Sequence, residues 1–124
     1  MKTKDFSGIK NKGSLPNPRE VQMPADDSSL VTEYVESTTS MLDELEEATL
    51  AYEAGQGRTE NAAVIRRILH KIKGESSMVS CDDVAELCHQ AEDAFEELPE
   101  DERPDMLLRF KDWLCTALEH VSTL

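Results

Sequence analysis

The chain has 124 residues, of which 39% are hydrophobic and 31% charged, with six aromatic residues and a formal net charge of −13. That length holds one domain with a modest aliphatic core, and the composition suits packed helices better than a sandwich or barrel. An acidic body is repelled by nucleic acid and by anionic membrane, and no apolar run approaches a membrane span, which sets both aside as partners.

Residues 1–25 carry Lys2, Lys4, Lys10, Lys12 and Arg19 against Asp5 and Glu20, a net of +3, leaving −16 on the other 99 residues. Gly8, Gly13, Pro16, Pro18 and Pro24 interrupt this stretch, which has no sustained apolar period. It reads as a flexible N-terminal arm, with the domain proper over residues 26–124. The lysines near Met1 are not followed by an apolar segment of the secretory kind. Cys81, Cys88 and Cys115 make an odd set without framework spacing, so reduced thiols and a cytoplasmic location are expected.

Four helical periods follow. Asp27-Ser28-Ser29 offers caps for a first helix with apolar positions Val31, Tyr34, Val35, Met41, Leu42, Leu45, Ala48 and Tyr52, and Thr38 in one gap. Glu44, Glu46, Glu47 and Glu53 keep its outer face wet, and Gly55-Gln56-Gly57 stops it. Thr59 is the expected cap of a second helix ending near Val79 or Ser80. Ser80-Cys81-Asp82-Asp83 resembles a capping box for a third, which buries Val84, Leu87, Cys88, Ala91, Phe95 and Leu98. Pro99 to Pro104 breaks that period, and Pro104 suits the first turn of a fourth helix burying Leu107, Phe110, Leu114, Ala117, Leu118 and Val121. Short breaks between amphipathic helices predict an all-α, antiparallel up-down-up-down four-helix bundle. No glycine-rich phosphate loop is present, so no ATP site is expected in this chain.

The chemistry concentrates in Ile65-Arg66-Arg67-Ile68-Leu69-His70-Lys71-Ile72-Lys73-Gly74. At 100° per residue, Arg66, Lys73, Gly74 and Ser77 fall within about 60° of His70, while Ile65, Ile68, Ile72 and Val79 lie opposite. The histidine therefore points away from the core. A neutral imidazole nitrogen is a competent nucleophile near neutral pH, and a phosphoryl group held there is readily passed on. Lys73 could neutralise phosphoryl oxygens, and Gly74 would let a partner approach the ring. Arg66, Arg67 and Lys71 either make surface ion pairs or form a basic collar that steers an acidic partner.

With these residues on the page, the chain resembles the histidine-phosphotransfer (HPt) domains of two-component phosphorelays, most nearly the N-terminal phosphotransfer domain of chemotaxis kinases of the CheA type. The likeness runs over about residues 28–122, and His70-x-x-Lys73-Gly74 matches the phosphoacceptor motif. It implies that His70 takes the phosphoryl group, that Glu92 accepts the Nδ1–H of His70, and that His89 and Lys73 complete the polar network. It also implies a histidine kinase and a response-regulator receiver as partners, with Mg²⁺ held by the receiver, no cofactor or metal in this chain, and a monomer. Whether the chain stands alone or forms part of a kinase is left open. Ser80 departs from the family's pattern, which has glycine there, and Glu75 stands where a small residue is common. Two other readings remain: a receiver-binding adaptor that is never phosphorylated, and a metal-binding bundle using His70, His89, Glu92 and Cys81 or Cys88.

Overall fold

The computed structural model describes residues 4–23 and 28–123, Ser28 through its backbone only. Four long helices form the bundle: α2 (Ser28–Glu53), α3 (Arg58–Met78), α4 (Asp82–Glu97) and α5 (Arg103–Ser122). They are preceded by a one-turn helix, α1 (Gly8–Asn11), and a 3₁₀ turn at Pro18–Glu20. A second 3₁₀ turn, Glu100–Glu102, leads into α5. Each long helix packs on its chain neighbours, and α5 closes the ring against α2. Among the described residues no helix is long and apolar enough to cross a membrane.

The apolar stripes meet along the bundle axis. Leu42 and Leu45 of α2, Ile65, Ile68, Leu69 and Ile72 of α3, Leu87 and Phe95 of α4, and Leu107, Phe110 and Leu114 of α5 are buried. Full burial of such side chains contributes roughly 1.5–3 kcal/mol each, so this column holds the helices in register. Tyr34 Oη and Ser76 Oγ lie 2.6 Å apart inside the core, which pins the start of α2 to the last turns of α3.

The helix ends differ from expectation in two places. Gly57, left-handed at φ +51°, caps α3, and Thr59 lies inside the helix. Cys81 rather than Ser80 precedes α4, and no side chain caps it. Ser80 instead adopts φ +60°, a left-handed turn residue between α3 and α4, whose N–H is bonded to the Ser77 carbonyl. That conformation is the reason a glycine suits the position and a serine is strained there. Asp27 lies outside the described residues. Pro104 falls in the first turn of α5 as the sequence indicates.

Residues 4–23 do not stand off the bundle as a free arm. They run as a strap across α4 and α5, with Phe6, Ile9 and Val21 buried in the same core as the bundle helices. Phe6 meets Trp113 edge-on at 5.2 Å, and the Trp113 indole donates to the Pro16 carbonyl at 2.7 Å. Arg109 donates to the Gly8 and Gly13 carbonyls at 3.0 and 2.9 Å. Lys4 pairs with Asp83 at 2.7 Å, Lys10 with Glu97, and Lys12 with Glu102 at 2.5 Å. The positive segment thus lies on the acidic body. Phe6, Ile9 and Val21 anchor the strap without a helical period, and Arg109 and Trp113 satisfy its Gly8, Gly13 and Pro16 carbonyls.

Candidate functional site

Halfway along α3 the helix turns one face outward. Leu69 and Ile72 are fully buried, and His70 between them in sequence has a side chain 76% exposed. Lys73 follows at the seam between α3 and α4, half-buried. On the facing helix Cys88 and Ala91 are fully buried, which puts Glu92, next to Ala91 and one turn after Cys88, at the same seam. The carboxylate divides between two partners. Oε1 lies 2.5 Å from Lys73 Nζ, and Oε2 lies 3.5 Å from His70 Nδ1.

The second distance is long for a hydrogen bond, yet a carboxylate at that range favours the proton on Nδ1. With the proton there, the Nε2 lone pair is left for chemistry on an open surface. Lys73 pairs with the half-buried carboxylate and adds a positive charge one helical turn from the ring. Cys88 lies beneath this pair; burial pushes its thiol far up, and Glu92 pushes the same way while Lys73 opposes it. Cys81 is raised to about 11 by burial. Neither thiol is poised to react or to ligate a metal. Among the described residues no group of three or more His, Cys, Asp or Glu side chains is placed to hold a metal ion.

The remaining predicted residues sort clearly. Gly74 is exposed, and a Cβ built on it meets nothing within 4 Å, so the surface beside His70 is open. Ser77 is exposed on the same face. His89 is exposed, and its contact is Asp93 of its own helix, at 3.7 Å from Nε2. Glu92 therefore joins His70 and Lys73, whereas His89 is not among their contacts. Arg66 forms a bidentate pair with Glu96 of α4, Nε to Oε2 at 2.6 Å and Nη2 to Oε1 at 3.1 Å. Arg67 reaches the other way, to Glu44 of α2 at 2.8 Å. Lys71 is exposed, with no carboxylate paired to it among the described residues.

Two features are new. Glu96 joins the site as the carboxylate that holds Arg66; its place four residues after Glu92, on the same face of α4, is the signal that could have found it. Met78 is 85% exposed one turn beyond Gly74, an apolar side chain at the rim of the His70 face. Nothing in the period of α3 marks it, because an apolar residue at a helix end reads equally as core.

Residues 29–122 match the family model for the Hpt domain. The chain belongs to the Hpt-domain family. Histidine phosphotransfer in two-component phosphorelays, through contact with receivers and kinases, is what Hpt domains do. The match spans the four bundle helices and leaves the strap outside it. No curated protein and no solved structure matches the chain.

Proposed function

We propose that His70 is the phosphoacceptor of this Hpt domain and that Nε2 is the atom phosphorylated. The observation that carries the reading is one carboxylate, Glu92, facing His70 Nδ1 with one oxygen and the Lys73 ammonium with the other. In the reaction the Nε2 lone pair forms the N–P bond as the donor's bond to phosphorus breaks and the leaving group departs with its electron pair. The proton stays on Nδ1 beside Glu92. Lys73 offsets the charge on the phosphoryl oxygens, and Gly74 leaves room for the partner's site.

The donor is a histidine kinase or a phosphorylated receiver aspartate, and the acceptor a receiver aspartate. The receiver brings Mg²⁺ and most of the catalytic carboxylates, and this chain contributes no nucleotide site and no metal. The domain acts as a monomer in the cytoplasm. Lys71 next to His70 and Met78 about two turns beyond it, both exposed, suit a receiver whose acidic pocket has an apolar rim. Incubation with a cognate kinase or phosphorylated receiver gives an acid-labile, base-stable label, and His70→Gln removes it. An equal label on the variant would refute the assignment. Receiver binding without any labelling of the wild type would support the adaptor reading instead.

A further inference from the structure

His70 lies between two ion pairs that tie α3 to α4: Lys73 with Glu92 one turn after it, and Arg66 with Glu96 one turn before. The two pairs differ in exposure. Lys73 and Glu92 are at the half-buried seam, whereas the side chains of Arg66 and Glu96 are 49% and 52% exposed. The Arg66 Cζ also lies over the buried Phe95 ring, 5.2 Å from its centroid, a cation–π contact that places the guanidinium on the α4 side of the site. Side chains on a helix lean toward its N-terminus, so the His70 ring leans over the turn that carries Arg66. Residues four apart on a helix are surface neighbours.

We infer that Arg66 exchanges partners when His70 is phosphorylated, leaving Glu96 to make a bidentate contact with the phosphoryl oxygens, so that Glu96 restrains the unphosphorylated state. The inference rests on His70 being the phosphoacceptor. The Arg66–Glu96 pair is bidentate but half-exposed, so water screens it and a stronger anion can compete for the guanidinium. A phosphoryl group carries close to two negative charges and three acceptor oxygens, and a guanidinium fork fits two of them. The stronger anion next to Arg66 wins the exchange. Arg67 is turned to α2 by Glu44, away from the α4 side of the ring, and Lys73 is committed to Glu92. Lys71 is exposed and has no carboxylate paired to it among the described residues, but it lies about 100° round the helix from His70. Arg66 is the guanidinium on the α4 side of the ring, and only a surface pair holds it there.

A small donor tests this without any partner protein. Inorganic phosphoramidate transfers its phosphoryl group to the imidazole: the donor N–P bond breaks, ammonia leaves with the electron pair, and the Nε2–P bond forms. Rates of His70 labelling are compared for wild type, Arg66→Gln, Arg66→Lys, Glu96→Gln and the double variant, with helical content checked in each. Arg66→Gln should slow labelling about fivefold, less than a full charge-assisted hydrogen bond because the pair with Glu96 is given up in the exchange. Arg66→Lys should recover only part of it, because the fork is lost. Glu96→Gln should speed labelling, and that gain should vanish when Arg66 is already Gln. A Glu96→Gln gain of equal size in both backgrounds would mean that the carboxylate acts only through its field, and would overturn the exchange. So would an Arg66→Gln rate equal to wild type. Failure of wild type to label at His70, with either phosphoramidate or a kinase, would instead reject the phosphoacceptor reading on which this rests.

Discussion

Glu92 has one oxygen for each of two neighbours, and its value to the site is tested by removing the charge alone. Glu92→Gln keeps the shape but removes the charge and leaves one acceptor oxygen where the carboxylate offers two. Phosphorylation should slow on the order of tenfold, the scale of one oriented charge-assisted hydrogen bond, with little change in the unfolding midpoint. An unchanged rate would reduce Glu92 to a scaffold carboxylate. Ser80 poses a different residue-scale question, because it holds a left-handed φ of +60° with a side chain. Ser80→Gly should stabilise the domain by up to about 1 kcal/mol, the relief of backbone strain offset by the greater freedom of unfolded glycine. Chemical denaturation measures it, and a loss of stability would show that the serine side chain contributes something its backbone geometry does not reveal.

At the scale of elements, α2 to α5 are legible in the sequence because their apolar residues repeat with helical period over many turns, and burial follows that period closely. Leu42, Leu45, Leu87, Phe110 and Leu114 are core as their spacing indicates. His70 opposite Ile68 and Ile72 is legible for the same reason. The strap is not legible. Phe6, Ile9 and Val21 are too few and too irregular to show a period, and they are recognisable as core only once Trp113 and Arg109 bring α5 beneath them. Partners between helices are hidden for a similar reason: spacing along α3 reveals where Arg66 points, and only the packing of α4 supplies Glu96 to meet it. Phe6→Ala tests the strap as part of the fold. Loss of a buried aromatic against Trp113 should cost about 3 kcal/mol of unfolding free energy. A change within about 0.5 kcal/mol, the range of ordinary surface substitutions, would mean that the strap contributes little to the stability of the bundle.

For the whole molecule, the division of charge frames the function. The body is strongly acidic, the strap neutralises part of it at α4 and at the 3₁₀ turn before α5, and the basic residues of α3 surround the single histidine on that helix. Two of these cations, Arg66 and Arg67, are pinned by carboxylates of neighbouring helices, so the bundle presents His70 with a controlled local charge in spite of a net −13. The central claim is that this arrangement leaves one nitrogen, Nε2 of His70, ready for phosphorus. Phosphorus and nitrogen NMR of the uniformly ¹⁵N-labelled domain after phosphorylation tests it most directly, since coupling identifies both the residue and the atom. The account predicts a single phosphorylated nitrogen, Nε2 of His70, with His89 and His120 unmodified. Phosphorus on His70 Nδ1, or on either of the other histidines, would contradict it.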